Sequence, residues 1–119
     1  MLPFGKRPGL RPAAFPLLAA AAFGLALATA PARAEQVQVT IDNFTFGPKE
    51  ITVKPGDTVT WTNRDDIPHN VRAAAGGSWK CGVMDTGGTC DITFMEAGTF
   101  KYFCALHPHM TGTVIVKPE

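Results

Sequence analysis

Ile51-Thr52-Val53-Lys54-Pro55-Gly56-Asp57-Thr58-Val59-Thr60-Trp61-Thr62 is the stretch that decides the fold. Ile51 and Val53 alternate with polar neighbours, Pro55-Gly56 marks a turn, and Val59 and Trp61 then alternate with Thr58, Thr60 and Thr62. An apolar side chain at every second position belongs to a strand with one buried face, and Pro-Gly between two such runs breaks the chain into a turn. The period of two recurs in both directions. Val37, Val39 and Ile41 carry it upstream, and Ile92, Phe94, the aromatic run Phe100 to Phe103, and Val114 and Val116 within Gly112 to Lys117 carry it downstream. Asn63 to Pro68 reads as a polar loop, Asn70 to Arg72 as short and extended, Ala73 to Ser78 as a small-residue loop, and Glu96-Ala97-Gly98 as a turn. Short strands separated by turn signals every roughly 8–12 residues predict an all-β sandwich. No helix beyond a turn or two, no repeat and no second domain is indicated.

The 119 residues set an expectation of one domain, once the first stretch is set aside. Lys6, Arg7 and Arg11 precede an apolar, Ala/Leu-rich run from Phe15 to Ala28, and small residues follow it. That order is a secretory signal peptide. Ala28-Thr29-Ala30 and Ala32-Arg33-Ala34 compete as cleavage sites. The first would leave Pro31 at the new terminus, so cleavage after Ala34 is expected, with residues 1–34 removed and 35–119 retained. The alternative is a membrane anchor that stays, but the apolar run falls short of the roughly 20 residues a span requires. The features look bacterial, and the destination is then the periplasm. Lys6-Arg7 is not an Arg-Arg pair, so the twin-arginine route is unsupported. Seven Lys/Arg against ten Asp/Glu give residues 35–119 a formal charge of −3, without a basic patch, which argues against nucleic-acid binding. A domain this short commonly needs a disulfide or a metal in addition to its core.

Chemistry concentrates in Cys104-Ala105-Leu106-His107-Pro108-His109-Met110, directly after an apolar strand. A thiolate, an imidazole and a thioether within seven residues form a soft donor set that favours copper. Two His and one Cys with a weak axial Met is the electron-transfer arrangement, and His69, from a separate strand end, can supply the second imidazole. Taken singly, His69 reads as a loop histidine, Cys104 as a core thiol or half a disulfide, and Met110 as core filler; their joint spacing favours a metal site.

These residues resemble the cupredoxins, most closely the amicyanin and plastocyanin-like branch. The resemblance is carried by Ile67-Pro68-His69-Asn70, by Tyr102-Phe103-Cys104-Ala105-Leu106-His107-Pro108-His109-Met110-Thr111-Gly112, and by the Val53 to Trp61 strand pair. It spans Gln36 to Lys117, and the Cys-x2-His-x2-Met spacing is the short loop of amicyanins. The resemblance implies a Greek-key β-sandwich of about 7–8 strands. It also implies one copper per chain on His69 Nδ1, Cys104 Sγ, His107 Nδ1 and, weakly, Met110 Sδ. Asn70 would tether the cysteine loop, and His107 would be the exposed ligand within an apolar docking patch that includes Leu106 and Pro108. By the same resemblance His107 can protonate and leave Cu(I), slowing transfer at acid pH. His109 stands where amicyanins usually carry an apolar residue, and it is expected on the exposed rim.

The implied function is a monomeric periplasmic electron carrier cycling Cu(I)/Cu(II), not an enzyme and not stably membrane-associated. Its partners would be transient redox proteins such as a c-type cytochrome or a periplasmic dehydrogenase; the alternative is a copper-binding or delivery protein. Three His in the whole chain are too few for a multicopper oxidase. Cys81 and Cys90 flank Asp85-Thr86-Gly87-Gly88, which looks like a turn, so a disulfide between them is expected. A redox or second metal site and two free thiols are the alternatives, and the pair departs from the amicyanin pattern.

Overall fold

The computed structural model describes residues 33–118. Among them are nine strands: β1 Gln36–Asp42, β2 Thr45–Gly47, β3 Glu50–Val53, β4 Asp57–Asn63, β5 His69–Ala73, β6 Lys80–Met84, β7 Thr89–Phe94, β8 Gly98–Cys104 and β9 His107–Val116. They form two sheets, in the orders β2-β1-β4-β7 and β3-β9-β8-β5-β6. The expected all-β sandwich is therefore present. Its signal segment lies outside the described residues except for Arg33 and Ala34. No helix among the described residues is long and apolar enough to cross a membrane.

The alternation read from the sequence sets the layers. Val39, Ile41, Val59 and Trp61 bury one face of the first sheet, and Val71, Tyr102, Val114 and Val116 bury the facing side of the second. β1 runs parallel to β4, with Val39 opposite Trp61, and β3 runs parallel to β9, with Ile51 opposite Val114. The chain thus crosses between sheets rather than folding as successive hairpins. After β4 it passes to the second sheet for β5 and β6, then returns for β7. Cys81 on β6 and Cys90 on β7 are disulfide-bonded with their Cα atoms 5.9 Å apart, which joins the two sheets covalently at that crossing.

Nine strands exceed the 7–8 expected because two have weak patterning. β2 is three residues long and follows a two-residue turn in which Asn43 and Phe44 both have positive φ, 55° and 59°. That is the conformation of a tight hairpin turn, which usually recruits Gly. In β6 only Cys81 and Met84 are buried, so no period of two shows. The final strand is also longer than Gly112 to Lys117, because it begins at His107.

One close approach fixes the strand that carries the ligand loop. Tyr102 on β8 lies opposite Gly112 on β9, and a Cβ at Gly112 would come within 2.3 Å of the tyrosine ring. Only glycine leaves the ring room to fill the core, where it meets Phe46 and Trp61 edge-on at centroid distances of 4.8 and 5.2 Å.

Candidate metal centre

Cys104 ends β8 and His107 begins β9, and the two residues pair across a tight turn of Ala105 and Leu106. One step down the ladder Phe103 pairs with Thr111 instead of with His107's immediate successor, so β9 carries Pro108, His109 and Met110 as extra residues opposite the hairpin. This irregularity lets a short stretch of one strand present both His107 and Met110 inward while leaving Pro108 and His109 exposed, as His109 was expected to be. His69, at the start of β5, approaches from the side, and a second irregularity follows it between His69 and Val71.

The donor atoms of His69, Cys104 and His107 all lie within 4.8 Å of one another. Cys104 Sγ is 3.8 Å from His69 Nδ1 and 3.8 Å from His107 Nδ1. His69 and Cys104 are fully buried and His107 is half-buried. Met110 is buried in the core cluster three residues beyond His107 on the same strand.

The surroundings hold each donor in place. Asn70 N donates to Cys104 Sγ at 3.4 Å, and Asn70 Oδ1 accepts from Ala105 N at 2.7 Å, which bridges β5 to the cysteine turn as expected of Asn70. His69 Nε2 lies 2.7 Å from Asp65 Oδ2. Asp65 also accepts backbone amides from Asn43, through Oδ1, and from Phe44, through Oδ2 at 2.9 Å. Burial alone would raise the Asp65 carboxyl, but the Phe44 and Asn43 amides and the His69 ring together hold it below its ordinary value. An ionised Asp65 keeps the proton on His69 Nε2 and leaves the Nδ1 lone pair facing Cys104.

Asp65 in turn is set by Asn63. Asn63 Oδ1 accepts Asp65 N at 2.9 Å, and its amide donates to Ile67 O and Met84 O, both at 2.9 Å. Phe44, held in its unusual backbone conformation by the same Asp65, places its ring edge-on to both imidazoles, 5.5 Å from His69 and 5.2 Å from His107. Neither Asp65 nor Phe44 was singled out from the sequence. Asp65 sits in a polar loop beside a second acidic residue, where a solvated side chain is the ordinary reading, and Phe44 precedes a strand too short to signal itself.

Residues 33–117 match the family model of copper binding proteins, plastocyanin/azurin family. The chain belongs to that family. It is similar to amicyanin of Paracoccus denitrificans, 41% identical over 85 residues that cover 68% of this chain and 65% of that protein, a little under two thirds of its length. Amicyanin-alpha of Methylorubrum extorquens is 36% identical over 109 residues, covering 88% of this chain and 92% of that one. A solved structure of an oxidized amicyanin mutant superposes with a TM-score of 0.66 at 41% identity, over 69% of this chain and 82% of that one.

As a member of the plastocyanin/azurin family the chain has copper as its cofactor, and the donor set fits that ion. Cys104 Sγ lies 3.8 Å from each imidazole Nδ1, close enough for the three donor atoms to share one ion. Thiolate plus two imidazoles is also the soft, nitrogen-rich set that suits both oxidation states of copper. His69, Cys104 and His107 form the candidate copper site.

Proposed function

We propose that the chain is a periplasmic electron carrier with one copper held by His69, Cys104 and His107 and, weakly, by Met110. The triangle of donors around Cys104 Sγ carries this reading. Copper supplies the one-electron couple between Cu(II) and Cu(I). The protein supplies a site that need not rearrange when that electron arrives or leaves. Cys104 is fixed by its pairing with His107 and by the Asn70 amide. His69 is fixed by Asp65, and Phe44 walls the two rings from one side. A buried thiolate next to imidazole lone pairs is stable only while a cation compensates it, so metal retention falls as acid protonates the donors.

His107 is the donor nearest solvent. Around it Leu106 is 48% exposed, Phe44 is 50% exposed and Pro108 is exposed. A small apolar rim beside a half-buried imidazole suits brief docking by redox partners, which bury little area. A c-type cytochrome or a periplasmic dehydrogenase is the expected kind of partner. The formal charge of −3 on residues 35–119 favours a partner with a basic face. We further propose that residues 1–34 direct export and are removed by cleavage after Ala34.

Voltammetry of the copper-loaded protein, paired with a chelator challenge in both oxidation states, tests carriage against delivery. A reversible one-electron wave with slow copper loss in both states is the expected result. Rapid loss of copper to the chelator in both states would instead support metal delivery.

A further inference from the structure

The Asp57 carboxylate is 2% exposed and lies at the start of β4, at the opposite end of that strand from Asn63. Its Oδ2 accepts the Lys54 amide at 2.8 Å, and its Oδ1 accepts the amide of Glu35 at 2.8 Å. Buried carboxylates are costly without a compensating positive charge. The side-chain cation available is loose: Lys54 Nζ is 3.7 Å from Oδ2, is about one-third exposed, and is shared with the Glu35 side chain at 3.8 Å. Amide hydrogen bonds from Lys54 and Glu35 outweigh burial and hold Asp57 below its ordinary value, so it is an anion at neutral pH. Glu35 itself is anchored on its other side, because its carbonyl accepts Thr58 N at 2.9 Å.

The nitrogen that Asp57 grips is the one that cleavage after Ala34 would set free. Hydrolysis adds water across the bond between Ala34 C and Glu35 N, leaving a carboxylate on Ala34 and an amine on Glu35. That amine takes a proton at neutral pH. We propose that Asp57 is a built receptor for the processed amino terminus: signal removal turns the Glu35 amide into an ammonium already 2.8 Å from a buried carboxylate. This rests on the cleavage reading above. The new cation needs no movement of the chain, since β1 and the Glu35 carbonyl already hold it. The amide's hydrogen bond already has a charged acceptor, and the ammonium adds the opposite charge at the same 2.8 Å, making it a buried ion pair. Part of the fold's stability therefore arrives only with processing, and the precursor is the less stably folded of the two, which suits a chain that must cross a membrane before it folds.

The charged groups facing the site are Asp57, Lys54 and the Glu35 side chain. The test compares copper-loaded protein beginning at Glu35 with protein beginning at Ala34, both released from a cleavable fusion, in wild-type and Asp57→Asn backgrounds. Both forms keep every strand, from β1 at Gln36 to the end of β9 at Val116. The Glu35 form is expected to melt about 3–8 °C above the Ala34 form, and the gap is expected to close in Asp57→Asn. Equal melting of the two wild-type forms, or a gap that survives Asp57→Asn, overturns the capture. If Asp57→Asn does not fold, nitrogen NMR of the Glu35 amine decides: titration above the ordinary range of about 7.7–8.0 supports capture, and titration within it refutes capture. The intact mass of the exported protein reports the cleavage separately. A first residue other than Glu35 overturns the processing reading, whereas Glu35 in first place without the melting gap overturns the capture alone.

Discussion

His69 Nε2 and Asp65 Oδ2 lie 2.7 Å apart in a region closed to solvent. One carboxylate thereby orients the buried imidazole of the candidate copper site and, through the amides of Asn43 and Phe44, the turn that covers it. Phe44 occupies a backbone conformation that a bulky residue rarely adopts, and its ring touches both imidazoles. The turn and the ligand are consequently one unit, and Asp65 is what joins them.

Asp65→Asn keeps a hydrogen-bond acceptor but removes an anion one imidazole away from copper. At an effective dielectric constant of about 20 such a charge is worth on the order of 2 kcal/mol, or on the order of 100 mV. Because the anion favours Cu(II) over Cu(I), the reduction potential is expected to rise in the variant. Voltammetry checks this, and an unchanged potential would show that Asp65 acts on the fold alone.

Asn70→Ala removes the acceptor that holds Ala105 N and frees the Cys104 turn from β5. Copper affinity, read by competition with a chelator, is expected to fall by roughly 10–100-fold, the usual cost of losing a group that orients a ligand.

Cys81→Ala with Cys90→Ala removes the one disulfide between the sheets among the described residues, which closes a sequence separation of 9. Loop entropy predicts a loss of about 2–3 kcal/mol, measured by denaturant unfolding. The visible spectrum of the copper-loaded protein is expected to stay nearly intact, because neither cysteine belongs to the donor triangle.

Burial pushes the pKa of the Tyr102 hydroxyl from 10.0 up to about 12, against a smaller opposing pull from Trp61. The unfolded chain ionises this tyrosine first, so its contribution is fully present below pH 10 and is lost as the pH rises toward 12. The decline amounts to about 2–3 kcal/mol. Tyr102→Phe is expected to remove that alkaline decline while changing stability at neutral pH little. Unfolding of both proteins across this range isolates the tyrosine from the lysines, which are common to the two.

Much of this was legible in the sequence because two different signals agree. Period-two alternation around Pro55-Gly56 gives the strands, and the spacing of Cys104, His107 and Met110 places soft donors on a single hairpin. The turn between Cys81 and Cys90 likewise marked the disulfide that is found. What stayed hidden depends on contacts distant along the chain. Asp65 differs from its neighbour Asp66 only in facing the Asn43–Phe44 turn more than twenty residues upstream, and no local pattern records that. β2 and β6 escape because one is three residues long and the other buries only two residues. The slip that lengthens β9 puts three extra residues opposite the hairpin, which breaks the alternation by which a strand is recognised.

The central claim is that Cys104, with His69 and His107, holds copper through its thiolate. The most direct measurement is the visible spectrum after adding Cu(II) to the purified protein and to Cys104→Ser. An intense thiolate-to-copper absorption in the first and none in the second is the predicted result; the same colour in Cys104→Ser would contradict it.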